Sequence, residues 1–299
     1  MIPSVLPITV AIPTYRREAV LIDTLIALLA LEHRAAEILV LDQTEKHEPA
    51  TELRLGEMAA ADSIRWLRLD RPSIPQAMNV GLVQASQPIV LFLDDDIRPE
   101  EGLLTAHHAA HAVATDSLVA GRVIQPWEEG LDHCASAPFH FAGTRAQRID
   151  EFMGGNFSIR RATAVEVGGF DENFVRVAYR FEAEFSHRLR SSGRSIVFEP
   201  RACLHHLKAG SGGTRTYGEH LTTWRPDHAV GAYYYGLRTH ELGVFATRPL
   251  RAVATRYHLR RPWRIPITLT AELGGMLWAL GLFLRGPIRL APDKNPHLT

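Results

Sequence analysis

Three consecutive carboxylates, Asp94-Asp95-Asp96, follow five strongly apolar residues, Ile89-Val90-Leu91-Phe92-Leu93. An apolar run of that kind reads as a strand buried on both faces, as in a parallel sheet. The acids then fall where such a strand must leave the core. Buried and unpaired, they would cost several kcal/mol or take up protons. Clustered carboxylates at the carboxyl end of a parallel strand instead suit a hard divalent cation, with phosphate oxygens completing its shell. Open α/β sheets also bind their ligands at that edge. The competing reading is a solvated acidic turn that opens the next helix, with Pro99-Glu100-Glu101 in its first turn.

The elements that would position these acids alternate in type. Ile8–Ile12, Glu37–Leu41, Ile64–Leu67 and Ile89–Leu93 are short aliphatic runs. Leu21, Leu25, Leu28 and Leu29 fall on one helical face between the first two, and 75–86 has Met78, Leu82 and Val83 at helical spacing. This βαβ rhythm predicts a mostly parallel, Rossmann-like sheet flanked by helices. The first strand is not followed by GxGxxG, which argues against a dinucleotide-binding domain. Further on, Leu118–Ile124, Phe157–Ile159, Ser195–Phe198 and Arg201–His206 read as strands, and Phe181–Ser191 as a helix closed by Gly193. Asp132–Asp150 reads as a loop-rich excursion, and Gly210-Ser211-Gly212-Gly213 as a flexible loop.

The formal net charge is zero over 299 residues, so the chain as a whole shows no nucleic-acid bias. Its distribution is uneven. From Val244 onward there are nine Lys/Arg against Glu272 and Asp293, a tail of +7 on a body of −7. That asymmetry points to an anionic surface as a partner. Within the tail, Ile265–Leu284 has Glu272 as its one charge and a stripe of Leu269, Leu273, Met276, Leu277, Leu280 and Leu284. The expectation is a helix packed on the protein or lying at a membrane surface, because Glu272 and Pro266 disfavour a span. Cys134 and Cys203 are the only cysteines, which fits a reducing compartment and argues against a disulfide scaffold or zinc ribbon. Met1-Ile2-Pro3-Ser4 has neither the charge nor the apolar run of a signal peptide.

Four separated segments look like parts of one site. They are Pro13-Thr14-Tyr15-Arg16 after the first strand, Asp42 after the second, the Asp94–Asp96 cluster, and a later group. The later group comprises Gly154-Gly155-Asn156, Gly168-Gly169, Glu182 with Glu184, and His205-His206. In this order the motifs resemble the family 2 glycosyltransferases, inverting enzymes of the GT-A fold, over about residues 8–215. The resemblance implies that Pro13, Thr14, Tyr15, Arg16, Asp42, Asn79, Asp94 and Asp95 contact a nucleotide-diphosphate sugar donor. Asn79 enters through Ala77-Met78-Asn79-Val80-Gly81, where Met78 replaces the family's usual basic residue. It implies Asp94, Asp96 and His206 as ligands of Mn²⁺ or Mg²⁺, with His205 as the alternative imidazole. Gly154, Gly155 and Asn156 would meet the sugar or acceptor, and Glu182 would be the catalytic base.

Each residue also has a plainer reading. Asp42 could cap its own turn, and the paired glycines could be turns. Glu182 and Glu184 lie two apart, so at most one can face a cleft, and Glu184 suits pairing with Arg188 four residues on. The resemblance further implies a GT-A domain over 1–215, with a nucleotide-sugar half to about 125 and an acceptor half beyond. A basic helical extension over 216–299 follows. The acceptor would be a carbohydrate or a lipid-linked carbohydrate. The protein is expected in the cytoplasm, with the tail available to the inner face of the cell membrane. A catalytically silent sugar-nucleotide-binding protein and a sugar nucleotidyltransferase are the rival readings.

Overall fold

A computed structural model describes residues 4–131, 138–218 and 220–291. The first half runs β1 (Val5–Thr14), α1 (Ala19–Leu29), β2 (Arg34–Asp42), α2 (Pro49–Ala60), β3 (Arg65–Arg68), α3 (Ile74–Gln84) and β4 (Ile89–Leu93). Its strands lie side by side in the order β3-β2-β1-β4, all parallel. Every residue of β4 is buried, because alternate side chains enter two separate cores. Val90 and Phe92 join one apolar cluster with Leu39 and Leu41 of β2. Ile89, Leu91 and Leu93 join the other, with Ile38 and Val40. Helix α3 begins at Ser73, whose hydroxyl accepts the Gln76 N–H, and Pro75 occupies its first turn.

The second half adds β5 (Ile97–Pro99), α4 (Leu103–Val113), β6 (Leu118–Ile124), β7 (Gln147–Ile149), β8 (Asn156–Arg160), α5 (Arg161–Glu166), α6 (Phe181–Ser191) and β9 (Ile196–His206). The sheet continues as β4-β8-β6-β9-β5, with β7 beside β9. The parallel arrangement therefore holds for the first four strands and becomes mixed beyond them. Strand β8 is antiparallel to both β4 and β6. The two strands expected at Ser195–Phe198 and Arg201–His206 are one, β9, whose register on β6 shifts around Pro200. Of the expected excursion at 132–150, residues 132–137 lie outside the described residues, and Gln147–Ile149 pairs with β9.

Helices α7 (Val230–Thr239), α8 (Val244–Val253), α9 (Arg256–Arg260) and α10 (Ile265–Arg285) follow. Tyr233 and Tyr234 of α7 and Ala279 and Leu282 of α10 share one apolar cluster with Phe157, Phe170 and Phe174. The C-terminal helices thus pack on the same core as the sheet. Helix α10 turns Thr268, Ala271, Glu272, Gly275, Ala279 and Leu282 inward. Leu269, Leu273, Leu277, Leu280 and Leu284 are exposed, whereas Met276 is partly buried against the core. The stripe seen in the sequence therefore faces away from the protein.

Candidate active site

Two of the three carboxylates after β4 are held by one buried guanidinium. Arg17 Nε donates to Asp95 Oδ1 at 3.0 Å and its Nη2 to Asp96 Oδ2 at 3.2 Å. The same side chain donates to the backbone carbonyls of Ser211 and Ala209, so the 209–213 loop is tied to the acidic cluster. Gly212 makes that closure feasible. It has φ +80, and a Cβ there would lie 2.3 Å from the Arg16 carbonyl oxygen.

Burial pushes Asp95 up to about 7, against the pull of Arg17. Burial opposes ionisation of Asp96 too, but His206, Arg17 and the Ala209 N–H together hold it below the usual carboxylate range.

Strand alternation decides between the two histidines. His206 Nε2 lies 3.1 Å from Asp96 Oδ1 and 3.8 Å from Asp94 Oδ2. His205 points to Glu100 at 3.3 Å instead. His206 Nδ1 donates to Gln125 Oε1 at 3.0 Å, which fixes the ring and turns Nε2 toward the aspartates. Ligand atoms of Asp94, Asp96 and His206 all fall within 4.8 Å of one another. Two carboxylates and one imidazole form a donor set that fits a divalent cation, and the nitrogen favours Mn²⁺ over Mg²⁺. Gly155 completes the cradle, since a Cβ on it would sit 2.2 Å from Asp94 Oδ2.

Two cavities meet at this cluster. One, of about 230 Å³, is bounded by Pro13, Thr14, Tyr15, Arg17, Gln43 and Met78 together with all three aspartates. The other, of about 520 Å³, is bounded by Gly154, Gly155, Phe181 and Glu182. Asp94 and His206 form part of both walls. Glu182 sits in the first turn of α6, where burial, then the negative charges of Asp94 and Glu151, raise its carboxyl to about 7. The helix start and Arg180 act in the opposite direction. Glu184 faces the other way and is buried, bound through both oxygens by Arg188 at 2.8 and 2.9 Å and by Arg289 at 2.5 Å.

Several residues singled out in the sequence do not face the cleft. Arg16 is exposed, with φ +54, and stacks on Tyr15, so Arg17 is the member of the doublet that enters the site. Asp42 has no exposed surface. Its oxygens accept from Thr44 N at 2.8 Å, Trp66 Nε1 at 2.9 Å and His47 Nε2 at 2.9 Å, and Gln43 lines the cavity in its place. Asn79 is buried as a brace, donating to Phe170 O and Glu172 Oε1 and accepting from Phe170 N.

Asn156 lies within the sheet. It donates to Arg122 O and Ala202 O and accepts from His107 Nε2 at 2.9 Å. Gly168 and Gly169 have φ +86 and +60, and Gly169 leaves room for Asn79 and Leu290 rather than for a ligand. Gln43, Arg176 and Tyr217 line the smaller cavity without having been anticipated. The Arg16-Arg17 doublet and the Gly-rich 210–213 segment were the available signals.

The sequence matches Glycosyl transferase family 2 over residues 9–169. No curated protein sequence matches it. Among solved structures, GalNAc-T7 with UDP, GalNAc and Mn²⁺ has a TM-score of 0.58 at 15% identity, covering 92% of this chain and 55% of that one. The mannosyltransferase PcManGT from Pyrobaculum calidifontis, in complex with GDP-Man and Mn²⁺, has a TM-score of 0.54 at 19% identity, covering 94% and 79%. Residues 1–349 of S. aureus TarS, in complex with UDP-GlcNAc, give 0.57 at 15% identity, covering 90% and 91%. The chain therefore spans about 55% of the GalNAc-T7 chain. At these identities the likeness is one of fold, the GT-A fold of nucleotide-sugar transferases. With that fold beneath it and the family matched over more than half of its length, the chain belongs to glycosyl transferase family 2.

Proposed function

We propose that the protein is an inverting, divalent-cation-dependent glycosyltransferase. It would move a sugar from a nucleoside-diphosphate donor to a hydroxyl of a carbohydrate or lipid-linked carbohydrate, in polysaccharide or glycoconjugate synthesis. The observation that carries this reading is the junction of two cavities at Asp94 and His206, with Glu182 on the second wall. Structures of similar fold hold UDP or GDP-Man together with Mn²⁺, and UDP-GlcNAc, which supports a donor in the first cavity.

Asp94, Asp96 and His206 would hold the cation, which when bound offsets charge developing on the diphosphate leaving group. Arg17 keeps Asp95 and Asp96 oriented. Tyr15 and Gln43 face the donor cavity. Glu182, when ionised, accepts the proton of the acceptor hydroxyl as the oxygen attacks the anomeric carbon. A single displacement from the face opposite the nucleotide inverts the configuration. This chemistry needs one basic carboxylate, in contrast to the paired carboxylates of retaining hydrolysis.

Residues Pro262–Arg285 are long and apolar enough to cross a membrane by length and composition. We propose that they lie on an anionic bilayer surface instead, at the inner face of the cell membrane. Glu272 faces the protein and pairs with Arg248 at 3.0 Å, while the leucine face is exposed. Trp263 and Leu259 are exposed beside Arg256, Arg260 and Arg261. Basic residues near such a surface contribute on the order of 1 kcal/mol each.

Release of nucleoside diphosphate from UDP- and GDP-sugars, with and without Mn²⁺, tests the reaction. Glu182→Gln should retain Mn²⁺-dependent donor binding and lower turnover by ~10²–10⁴-fold. The wild-type rate should rise with pH up to about 7, the value burial gives Glu182, and this limb should vanish in the variant. Wild-type turnover by Glu182→Gln would remove the base assignment.

A further inference from the structure

A third cavity, of about 450 Å³, opens beyond the catalytic cleft between α7, α8 and α10. Tyr179 and Arg180 form a common wall between it and the cavity that holds Glu182. Its lining is cationic. Arg180, Arg225, Arg248 and Arg251 border it, against Glu241 and Glu272.

The two acids are already engaged. Glu272 accepts from the Tyr233 hydroxyl at 2.5 Å and from Arg248, and Glu241 accepts from the Tyr235 hydroxyl at 3.1 Å. Arg180 pairs with Glu151 at 3.2 Å and stacks on Tyr235 at 4.3 Å. Arg225 and Arg251 have no carboxylate in ion-pair range among the described residues. Two guanidinium groups thus remain uncompensated beside a concave, partly aromatic wall.

The segment that separates this cavity from the catalytic cleft is strained. Arg176, Ala178 and Arg180 have φ of +63, +54 and +75, a left-handed conformation that non-glycine residues rarely adopt. It persists because α7 clasps it. Gly231 lies so close to Tyr179 that a Cβ would be 2.2 Å from the Tyr179 carbonyl oxygen. The chain accepts that strain to hold Arg180 at the boundary, two residues before Glu182.

We propose that this cavity binds a phosphate or diphosphate group carried by the acceptor, anchoring the acceptor while its hydroxyl reaches Glu182. The proposal rests on the transferase reading of the cleft. The guanidinium fork matches phosphate oxygens in pairs, and two uncompensated cations match the charge of one such group.

The test uses the full chain with EDTA present, so that no cation bridges an anion to the aspartates, and inorganic pyrophosphate as the probe in calorimetry. Wild type should bind it. Arg225→Glu with Arg251→Glu should weaken binding by roughly tenfold or more, through loss and reversal of charge-assisted hydrogen bonds. Mn²⁺-dependent binding of UDP or GDP should stay unchanged in the double variant. Both arginines are exposed, and an unchanged thermal midpoint verifies folding; Arg225→Gln with Arg251→Gln serves if the reversal unfolds the protein.

Equal affinity in wild type and variant, or no wild-type binding, would overturn the proposal. So would a variant that loses only flotation with phosphatidylglycerol vesicles, because the arginines would then serve a headgroup layer. Pyrophosphate binding that depends on Arg225 and Arg251 in a protein releasing no nucleoside diphosphate from any donor would leave the anion site standing and remove the transferase reading. Donor turnover without pyrophosphate binding would do the reverse.

Discussion

Strand β4 and helix α10 use apolar residues in opposite senses. In β4 all five side chains are buried, and the acids begin where the strand leaves the core. In α10 the acid Glu272 is inside with Leu282, and Leu269, Leu273, Leu277, Leu280 and Leu284 are outside. Both segments are apolar runs interrupted by or ending in carboxylates. Hydrophobicity is a property of the segment, whereas the side of it that faces protein is set by what it packs against. Helix α10 meets the start of α7 through Gly275, where a Cβ would lie 3.1 Å from Val230 N, and leaves Leu269, Leu273, Leu277, Leu280 and Leu284 outward. In the sheet half the costly feature is therefore a buried polar group, and in the tail it is an exposed apolar one.

The largest effect should come from breaking the buried pairing in the sheet half. Arg17→Ala leaves Asp95 and Asp96 without their cation and should cost ~3–5 kcal/mol in denaturant unfolding at pH 8. The adjacent, exposed Arg16→Ala should stay within about 0.5 kcal/mol of wild type. A larger loss for Arg16→Ala than for Arg17→Ala would mean that the arginines have been assigned the wrong way round.

A second polar core should reveal itself by pH. His107 Nδ1 accepts from Ser158 Oγ at 2.8 Å, and that oxygen in turn accepts from His111 Nε2 at 2.8 Å. Burial depresses His107 to about 4 and His111 to about 3. The unfolded chain binds these protons from pH 6.5 downward and the folded one does not, so their contribution is full above pH 6.5 and is lost toward pH 4. For His107 the shift corresponds to about 3 kcal/mol. The raised carboxyls of Asp95 and Glu182 act with the opposite sign below pH 7. The informative quantity is thus wild type minus His107→Gln, followed by chemical unfolding between pH 7 and 4.5. A pH-independent difference would contradict the buried neutral histidine.

In the tail, Glu272→Gln should cost about 1–3 kcal/mol, because Arg248 loses its partner but stays partly solvated. Thermal unfolding measures this, and no loss at all would mean that the inward acid does not anchor α10. The smallest change in stability, within about 0.5 kcal/mol, should follow Leu273→Ser with Leu277→Ser on the exposed face. The same pair should sharply reduce flotation with anionic vesicles, and more so in high salt, where screening removes the basic contribution and leaves the apolar one. Undiminished flotation would show that this face does not meet the bilayer.

Much of the molecule was legible before any coordinates. A strand buried on both faces has to be a local apolar run, so β4 is read with the bounds it has. Helix α6 is read likewise, from its capping and period. Local chemistry also announced the three aspartates and the pairing of Glu184 with Arg188. Where legibility failed, the choice lay between neighbours. Arg16 and Arg17 have identical side chains, and the left-handed backbone at Arg16 turns the second one inward. Asp42 and Gln43 are also adjacent, and the Asp turned in because Thr44, His47 and Trp66 supply its hydrogen bonds.

Legible from the chain alone are the βαβ half, the carboxylates at the carboxyl edge of its sheet, and a charged tail with an apolar stripe. These follow from periodicity and side-chain chemistry, which act over a few residues. Only the tertiary fold settles that β8 enters antiparallel beside β4 and pins Asn156 within the sheet. It alone brought His206 rather than His205 to the aspartates, through the register of β9 on β5. It alone turned Leu269, Leu273, Leu277, Leu280 and Leu284 of α10 outward and Leu282 inward. Those outcomes depend on contacts between residues far apart in the chain, and no local pattern specifies which face of a strand or helix will find a partner.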